Sequence, residues 1–247
     1  MKAAIFDFDG TISTLRYGWE KVMLPLMLEV LEADESDKEL QKKVEDYIDK
    51  STGIQTIHQM IWLKEQVELR GLKAEDEWSY KDEYNRRLME QVSERIAKIK
   101  EGTATPEDYI IKGAPEFLRA LKDRNIDLYL ASGTDHADVC NEAALLGVAS
   151  LFTGIKGAPE RQVSCPKEAA INALIKDGGL NPKELLMVGD GKVEISLGVK
   201  IGAFTIGLAS DEERREGINP LKHEKLTLAG ADLIVGDFVD IRLPLLQ

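Results

Sequence analysis

The strongest constraint on the fold lies at the N-terminus, where residues 2–11 read KAAIFDFDGT. The apolar run before Asp7 is typical of a buried strand. Asp9 follows two residues later, so the two side chains would share a face if the strand continued. Gly10 then allows the backbone to turn without a Cβ penalty. The segment therefore predicts a buried strand whose carboxyl end carries two carboxylates.

Two carboxylates at a strand end suit a hard cation such as Mg²⁺ next to a phosphoryl group. One aspartate could attack phosphorus while the other handles the proton of the leaving group. A solvated aspartate turn would explain the segment about equally well if it stood alone. The choice between these interpretations depends on the rest of the chain.

Composition limits the classes of partner. The chain has 247 residues, 43% of them hydrophobic, and a net charge of −12. This charge argues against electrostatic capture of nucleic acid, and it gives no support to binding at an anionic membrane. We see no signal-peptide pattern and no apolar run of about 18 residues. With only two cysteines, Cys140 and Cys165, we expect a cytoplasmic protein. Its oligomeric state stays open.

The periodicity of the chain changes twice. Helical spacing runs through residues 17–31, 37–48, 55–69 and 80–100, and strands alternate with helices after Gly113. We expect strands over 126–131, 185–188, 203–206 and 233–235, and helices over 116–124, 136–146, 165–176 and 193–199. The predicted fold is α/β, a three-layer Rossmann-like parallel sheet with an inserted all-helical cap domain. Residues 1–14 plus 111–247 would form the catalytic core, and 15–110 the cap.

Three later segments carry further polar groups. Ser132 and Gly133 follow an apolar strand and could hold phosphate oxygens. Lys167 lies near the start of a predicted helix. Asp190 ends another apolar strand, and Glu194 follows one helical turn later, so both could point toward one cation.

Together these motifs resemble, in order and context, those of the haloacid dehalogenase-like hydrolase superfamily. The resemblance implies that Asp7 is a nucleophile and Mg²⁺ ligand. It implies that Asp9 protonates the leaving alcohol and then activates water, with its carbonyl oxygen on Mg²⁺. Ser132 would hold phosphoryl oxygens, Lys167 would bridge nucleophile and phosphate, and Asp190 would bind the metal. Glu194 stands where many members have a second aspartate, and it could act through water or orient Lys167 instead.

The helical block resembles the family's C1 cap. In similar proteins a turn between early cap helices reads the leaving group, which makes Thr52, Gly53 and Gln55 candidates for substrate contacts. A helix-capping turn explains these residues at least as well. Arg16, in the hinge, could reach a substrate anion.

The resemblance implies a Mg²⁺-dependent phosphomonoester hydrolase for a small phosphorylated metabolite, similar to phosphoglycolate or a sugar phosphate. The family's dehalogenase branch lacks the second aspartate, and Asp9 is present here. Two alternatives stay open: a phosphomutase of the β-phosphoglucomutase type, and a non-catalytic binding domain with the same core. The apolar tail over residues 238–246 could pack on the core or on a partner.

Overall fold

A parallel sheet forms the centre of the computed structural model, which describes residues 1–34, 36–239 and 241. Within these residues the sheet has six strands in the order β3-β2-β1-β4-β5-β6. All neighbouring strands are parallel, so their carboxyl ends lie at one edge. The strands are β1 (Ala3–Phe6), β2 (Asp127–Asp135), β3 (Gly154–Ala158), β4 (Leu185–Gly189), β5 (Phe204–Leu208) and β6 (Leu233–Val235).

Helices cover both faces of this sheet and also fill the segment between β1 and β2. That segment holds α1 (Glu20–Val30), α2 (Lys38–Lys50), α3 (Thr56–Leu69) and α4 (Glu77–Lys100). The later helices are α5 (Ala114–Lys122), α6 (His136–Leu145), α7 (Pro166–Asn172), α8 (Lys192–Ile201) and α9 (Pro220–Ala229). The predicted fold class is confirmed.

The alternation of β1 explains the three layers. Ala4 and Phe6 belong to a core cluster that includes apolar residues of α5 and α6. Ala3 and Ile5, which point to the opposite face, pack in a second cluster with residues of α7 and α8. A strand that buries both faces reads as a continuous apolar run, which is why the N-terminal segment could be recognised.

The inserted helices have a hydrophobic cluster of their own, which draws buried residues from α1 to α4, such as Met23, Met60 and Leu88. Leu15 and Ile110, at the two ends of the insertion, pack instead in the cluster that covers the sheet. Two separate clusters support the division into core and cap, whose bounds stay a prediction.

Several elements differ from the expectation. Strand β2 continues to Asp135 through a register shift, and so carries Ser132 and Thr134 within the sheet. Strand β3 and helix α9 were not predicted. Two glycines weaken the strand pattern of β3, and α9 buries only Leu226. Both elements therefore lack the apolar periodicity that identified the others.

The expectation for the C-terminal tail can be followed only in part. Phe238 and Ile241 are buried in the cluster that covers the sheet, whereas residues 240 and 242–246 lie outside the described residues. Across the part of the chain that is described, no helix combines the length and the apolar character that a membrane crossing requires.

Candidate active site

Three adjacent strands deliver polar side chains to one edge of the sheet. Phe6, the last residue of β1, pairs with Leu130 of β2 and Val188 of β4. Beyond these pairs the chain continues into Asp7, Ser132 and Asp190, respectively. The backbone N–H of Asp7 still donates to the Val188 carbonyl oxygen at 2.9 Å. The register of the parallel strands therefore brings together groups that are far apart in sequence.

The turn after β1 depends on Gly10. Its φ of 73° lies in the left-handed region, and a Cβ placed there would come within 2.2 Å of Asp190 Oδ2. The Thr11 hydroxyl also faces this carboxylate, at 3.4 Å from Oδ1. The missing side chain of Gly10 therefore allows the turn and the Asp190 carboxylate to approach each other closely.

Lys167 joins the two carboxylates at the back of the site. Its Nζ lies 3.1 Å from Asp7 Oδ1 and 3.0 Å from Glu194 Oε2, and all three side chains are almost fully buried. Burial opposes the charge of Lys167, but the facing carboxylates outweigh it and raise the pKa of the ammonium group. Burial raises the pKa of the Asp7 carboxyl well above its usual range, against the lowering effect of Lys167. The site therefore holds a nucleophile candidate beside a permanent positive charge.

Asp9 is held from one side only. Its Oδ2 accepts hydrogen bonds from Thr134 Oγ1 at 2.8 Å and Ser132 Oγ at 3.3 Å. Its Oδ1 is buried, has no hydrogen-bond partner and lies 3.9 Å from Arg16 Nε. Burial raises the pKa of the Asp9 carboxyl, although Arg16 and the Thr134 hydrogen bond act against this. Asp9 is thus a fixed carboxyl with one oxygen that no hydrogen bond occupies.

A cluster of carboxylates fits a hard cation. Oxygens of Asp7, Asp190 and Glu194 lie within 4.8 Å of one another. Such an all-oxygen set matches the preference of Mg²⁺. Glu194 is also engaged otherwise, because its Oε1 accepts the Gly191 N–H at 2.6 Å. Lys222 Nζ lies 2.5 Å from Asp190 Oδ2 and so balances the charge of this carboxylate.

The cap supplies a turn between α2 and α3. The Gly53 carbonyl oxygen accepts a hydrogen bond from Lys167 Nζ at 3.1 Å. Thr52 lines the cavity above the carboxylates, as do Gly53 and Gly133. Gln55 lies elsewhere, since its amide donates to the Gln162 carbonyl and accepts the Ser164 N–H. The turn therefore contacts the core both at Lys167 and at the loop before α7.

Arg16 reaches the cavity but is already surrounded by carboxylates. It forms a bidentate pair with Glu142, with Nη2 to Oε1 at 2.6 Å, and a second contact to Asp138 at 3.0 Å. The expectation of a substrate anion at Arg16 therefore competes with carboxylates of the chain itself.

The cavity has about 820 Å³ of empty space, which includes a part open to solvent. Cap residues that the sequence did not single out line its upper part, namely Trp19, Gln59, Lys81, Tyr84, Asn85 and Leu88. Thr134 and Lys222 were missed as well. Thr134 could have been found from the sequence, because it carries a second hydroxyl two residues after Ser132. Lys222 could not, because it lies on α9, which was not predicted.

Comparisons with known proteins bear on the family and the fold. A family model described as haloacid dehalogenase-like hydrolase matches residues 1–202. A search of curated proteins found no match. The fold is similar to a solved structure titled a predicted phosphoglycolate phosphatase from Haemophilus somnus 129pt, at 23% identity and a TM-score of 0.64, covering 100% of this chain and 98% of that one.

A β-phosphoglucomutase from Clostridium difficile has 21% identity and a TM-score of 0.62, over 100% of this chain and 96% of that one. A predicted phosphatase from Clostridium acetobutylicum has 19% identity and a TM-score of 0.62, over 96% and 94% of the two chains. At these identities the structures show a shared fold. The family model covers most of the sequence, and it follows that the chain belongs to the haloacid dehalogenase-like hydrolases.

Proposed function

We propose that the protein is a Mg²⁺-dependent phosphomonoesterase that acts on a small phosphorylated metabolite through an aspartyl-phosphate on Asp7. One observation carries the proposal. Asp7 and Asp9 line the same cavity. The buried ammonium group of Lys167 lies beside Asp7, whereas Asp9 has a buried oxygen, Oδ1, without a hydrogen bond. This asymmetry suits a nucleophile next to a general acid.

In the first step an Asp7 carboxylate oxygen attacks phosphorus, and the bond from phosphorus to the leaving oxygen breaks. Asp9 donates its proton to that oxygen, so a neutral alcohol leaves. Burial raises the pKa of Asp9, which favours the protonated form needed for this step. Burial raises the pKa of Asp7 as well, but the ammonium group of Lys167 acts against this and favours the carboxylate there. Lys167 stays next to Asp7 and offsets the negative charge that collects there.

In the second step Asp9, now ionised, accepts a proton from water. The water oxygen attacks phosphorus, the bond to Asp7 breaks, and inorganic phosphate is released. Ser132 keeps Asp9 in place through its hydrogen bond and would hold phosphoryl oxygens. The carboxylates of Asp7 and Asp190 and the Asp9 carbonyl oxygen would hold Mg²⁺, with Glu194 close by. When bound, the metal neutralises charge on the transferring group.

A phosphomutase of the β-phosphoglucomutase type is the second candidate. It is supported by the presence of both aspartates in one cavity, which a mutase needs as much as a phosphatase does. A non-catalytic binding domain would be favoured by loss of a motif residue, and Asp7, Asp9, Ser132, Lys167 and Asp190 are all present.

The test is phosphate release from a generic aryl phosphate and a panel of phosphorylated metabolites, with Mg²⁺ and with EDTA. We expect Mg²⁺-dependent release by the wild-type protein and only background release by Asp7→Asn, whose circular dichroism should match the wild type. A well-folded Asp7→Asn protein that retained turnover would refute the covalent mechanism. Isomerisation of a hexose phosphate that needs a bisphosphate activator, with little phosphate release, would instead indicate a mutase.

A further inference from the structure

The charges around the cavity restrict the leaving group of the substrate. We propose that this protein selects phosphoesters of neutral, hydroxyl-bearing alcohols and discriminates against leaving groups with a carboxylate or a second phosphate. The inference rests on the proposed phosphatase function and narrows its substrate class. It depends on how the cations at the cavity are already paired.

Among the described residues that line the cavity, three are cations, and five are carboxylates. Lys167 is one of the three cations, and its Nζ contacts Asp7, Glu194 and the Gly53 carbonyl oxygen. These contacts place its charge at the phosphoryl end of the cavity. Lys167 is therefore unable to serve a second anion at the other end.

Lys81 is the cation that α4 of the cap directs into the cavity. It is buried and ion-paired with Asp135 Oδ1, at the end of β2. Asn85, one helical turn later, donates to the other oxygen of the same carboxylate at 3.1 Å. Both oxygens of Asp135 therefore contact side chains of the cap. The positive charge of Lys81 is balanced by the carboxylate of Asp135.

Arg16 is the third cation that lines the cavity. Of the three, it has the most carboxylates close to it. Glu142 binds it in a bidentate manner, Asp138 lies at 3.0 Å, and Asp9 Oδ1 lies at 3.9 Å. A second anion on the substrate would have to displace one of these carboxylates. A displaced Glu142 would remain in the interior, where its side chain is 2% exposed, and an unpaired buried charge is costly.

The remaining lining on the cap side carries no charge and is polar, aromatic or aliphatic. Ser51 and Thr52 donate to the Ile48 carbonyl oxygen, and Gln59 donates to Ser51, so they offer a substrate mainly acceptor oxygens. Trp19 and Tyr84 supply aromatic rings. Hydroxyl and amide groups pair well with alcohol hydroxyls. An additional anion would instead have to compete with the carboxylates that already pair with the three cations, such as Asp7 and Asp135, in a partly desolvated space where charges interact more strongly than in water. The lining therefore favours a neutral alcohol.

Matched substrate pairs test this selection directly. Glycerol 3-phosphate and 3-phosphoglycerate are of similar size and differ by one carboxylate. Glucose 6-phosphate and glucose 1,6-bisphosphate differ by a second phosphate. We expect kcat/KM for the neutral member of each pair to exceed that of the anionic member by about tenfold or more, because like charges placed together strongly disfavour binding. Equal or higher kcat/KM for the anionic members would overturn the inference.

A gain-of-function variant gives the second test. Asp135→Asn keeps the size of the side chain but leaves Lys81 without its carboxylate. We expect kcat/KM for 3-phosphoglycerate, relative to glycerol 3-phosphate, to rise several-fold. The control is Asp82→Asn, which removes a carboxylate next to Lys81 on α4, at an exposed pair with Arg161. An unchanged ratio in a folded Asp135→Asn protein would contradict the proposal.

An assay with an aryl phosphate distinguishes failure of the leaving-group selection from failure of the phosphatase function. Mg²⁺-dependent hydrolysis of the aryl phosphate combined with a preference for anionic leaving groups would overturn the selection and leave the phosphatase intact. No hydrolysis of the aryl phosphate or of any pair member would refute the phosphatase function, and the inference with it.

Discussion

Replacing Lys167 by methionine removes the charge that balances two buried carboxylates. Asp7 and Glu194 lie 3.1 and 3.0 Å from its Nζ and are 6% and 1% exposed as side chains. Breaking a buried ion pair from one side costs about 3–5 kcal/mol. This loss would be a large part of a total stability of about 5–15 kcal/mol. We therefore expect Lys167→Met to destabilise the metal-free protein severely at pH 7.

Urea unfolding in EDTA measures the effect. With a slope of about 3 kcal/mol per molar urea, the midpoint should fall by about 1–2 M. The matched control is Lys98→Met, because Lys98 pairs with Glu94 at 2.7 Å on an exposed face of α4. Exposed pairs contribute only about 0–1 kcal/mol. The control midpoint should therefore hardly move.

The stability of the folded protein should depend on pH in a direction that the pKa of Asp7 sets. The folded-state pKa of Asp7 is raised by burial, so a carboxylate there costs stability as pH rises through that value, and protonation at low pH removes the cost. Without Lys167 the pKa of Asp7 rises further, so the deficit of the variant should shrink once acid protonates Asp7 in both folded proteins. A midpoint loss no larger than that of Lys98→Met, or a deficit that grows on acidification, would refute this reasoning.

Three further variants and one control probe the turn after β1 and the core. Asp9→Asn should lower kcat by about 10²- to 10⁴-fold, with decay of the phosphorylated intermediate slowed most in single-turnover assays. Gly10→Ala should lose at least about 1 kcal/mol from its left-handed backbone and also Mg²⁺ affinity by calorimetry, because the new Cβ overlaps Asp190. Gly202→Ala has a similar φ of 79° and open space around its Cβ, so it should lose stability alone; loss of metal affinity there would contradict the overlap argument. Phe6→Ala should cost about 3–5 kcal/mol in urea unfolding, since Phe6 packs against three other phenylalanines.

The sequence predicted the elements that bury apolar residues with a clear period. Strands β1 and β4 are buried throughout, and the Gly-Asp and Asp-x-Asp patterns at their ends indicated where polar groups would meet. Strand β3 was missed because it is an edge strand with two glycines. Elements with a regular apolar period could therefore be predicted from the sequence.

Contacts between segments that are far apart in the sequence could not be predicted from periodicity. The pairing of Lys81 with Asp135 depends on which face of α4 meets the sheet edge, and the charged pattern of α4 does not specify this. Gln55 was expected to contact substrate, but its amide binds the loop at residues 162–164. Such contacts follow from how the cap is seated, and local sequence carries little information about that.

The hydrogen bond from Lys167 to the cap goes to a main-chain carbonyl, and this has a consequence for how the protein can change over evolution. Every residue type provides a carbonyl oxygen, so substitutions at Thr52 or Ile54 can alter what the turn presents to a leaving group while the contact with Lys167 persists. Gly53 is the exception, because its φ is 89° and a Cβ would come within 3.0 Å of Glu194 Oε2. Under the proposed function, residues that read the leaving group could thus change without loss of the Lys167 contact, with one fixed glycine between two variable neighbours.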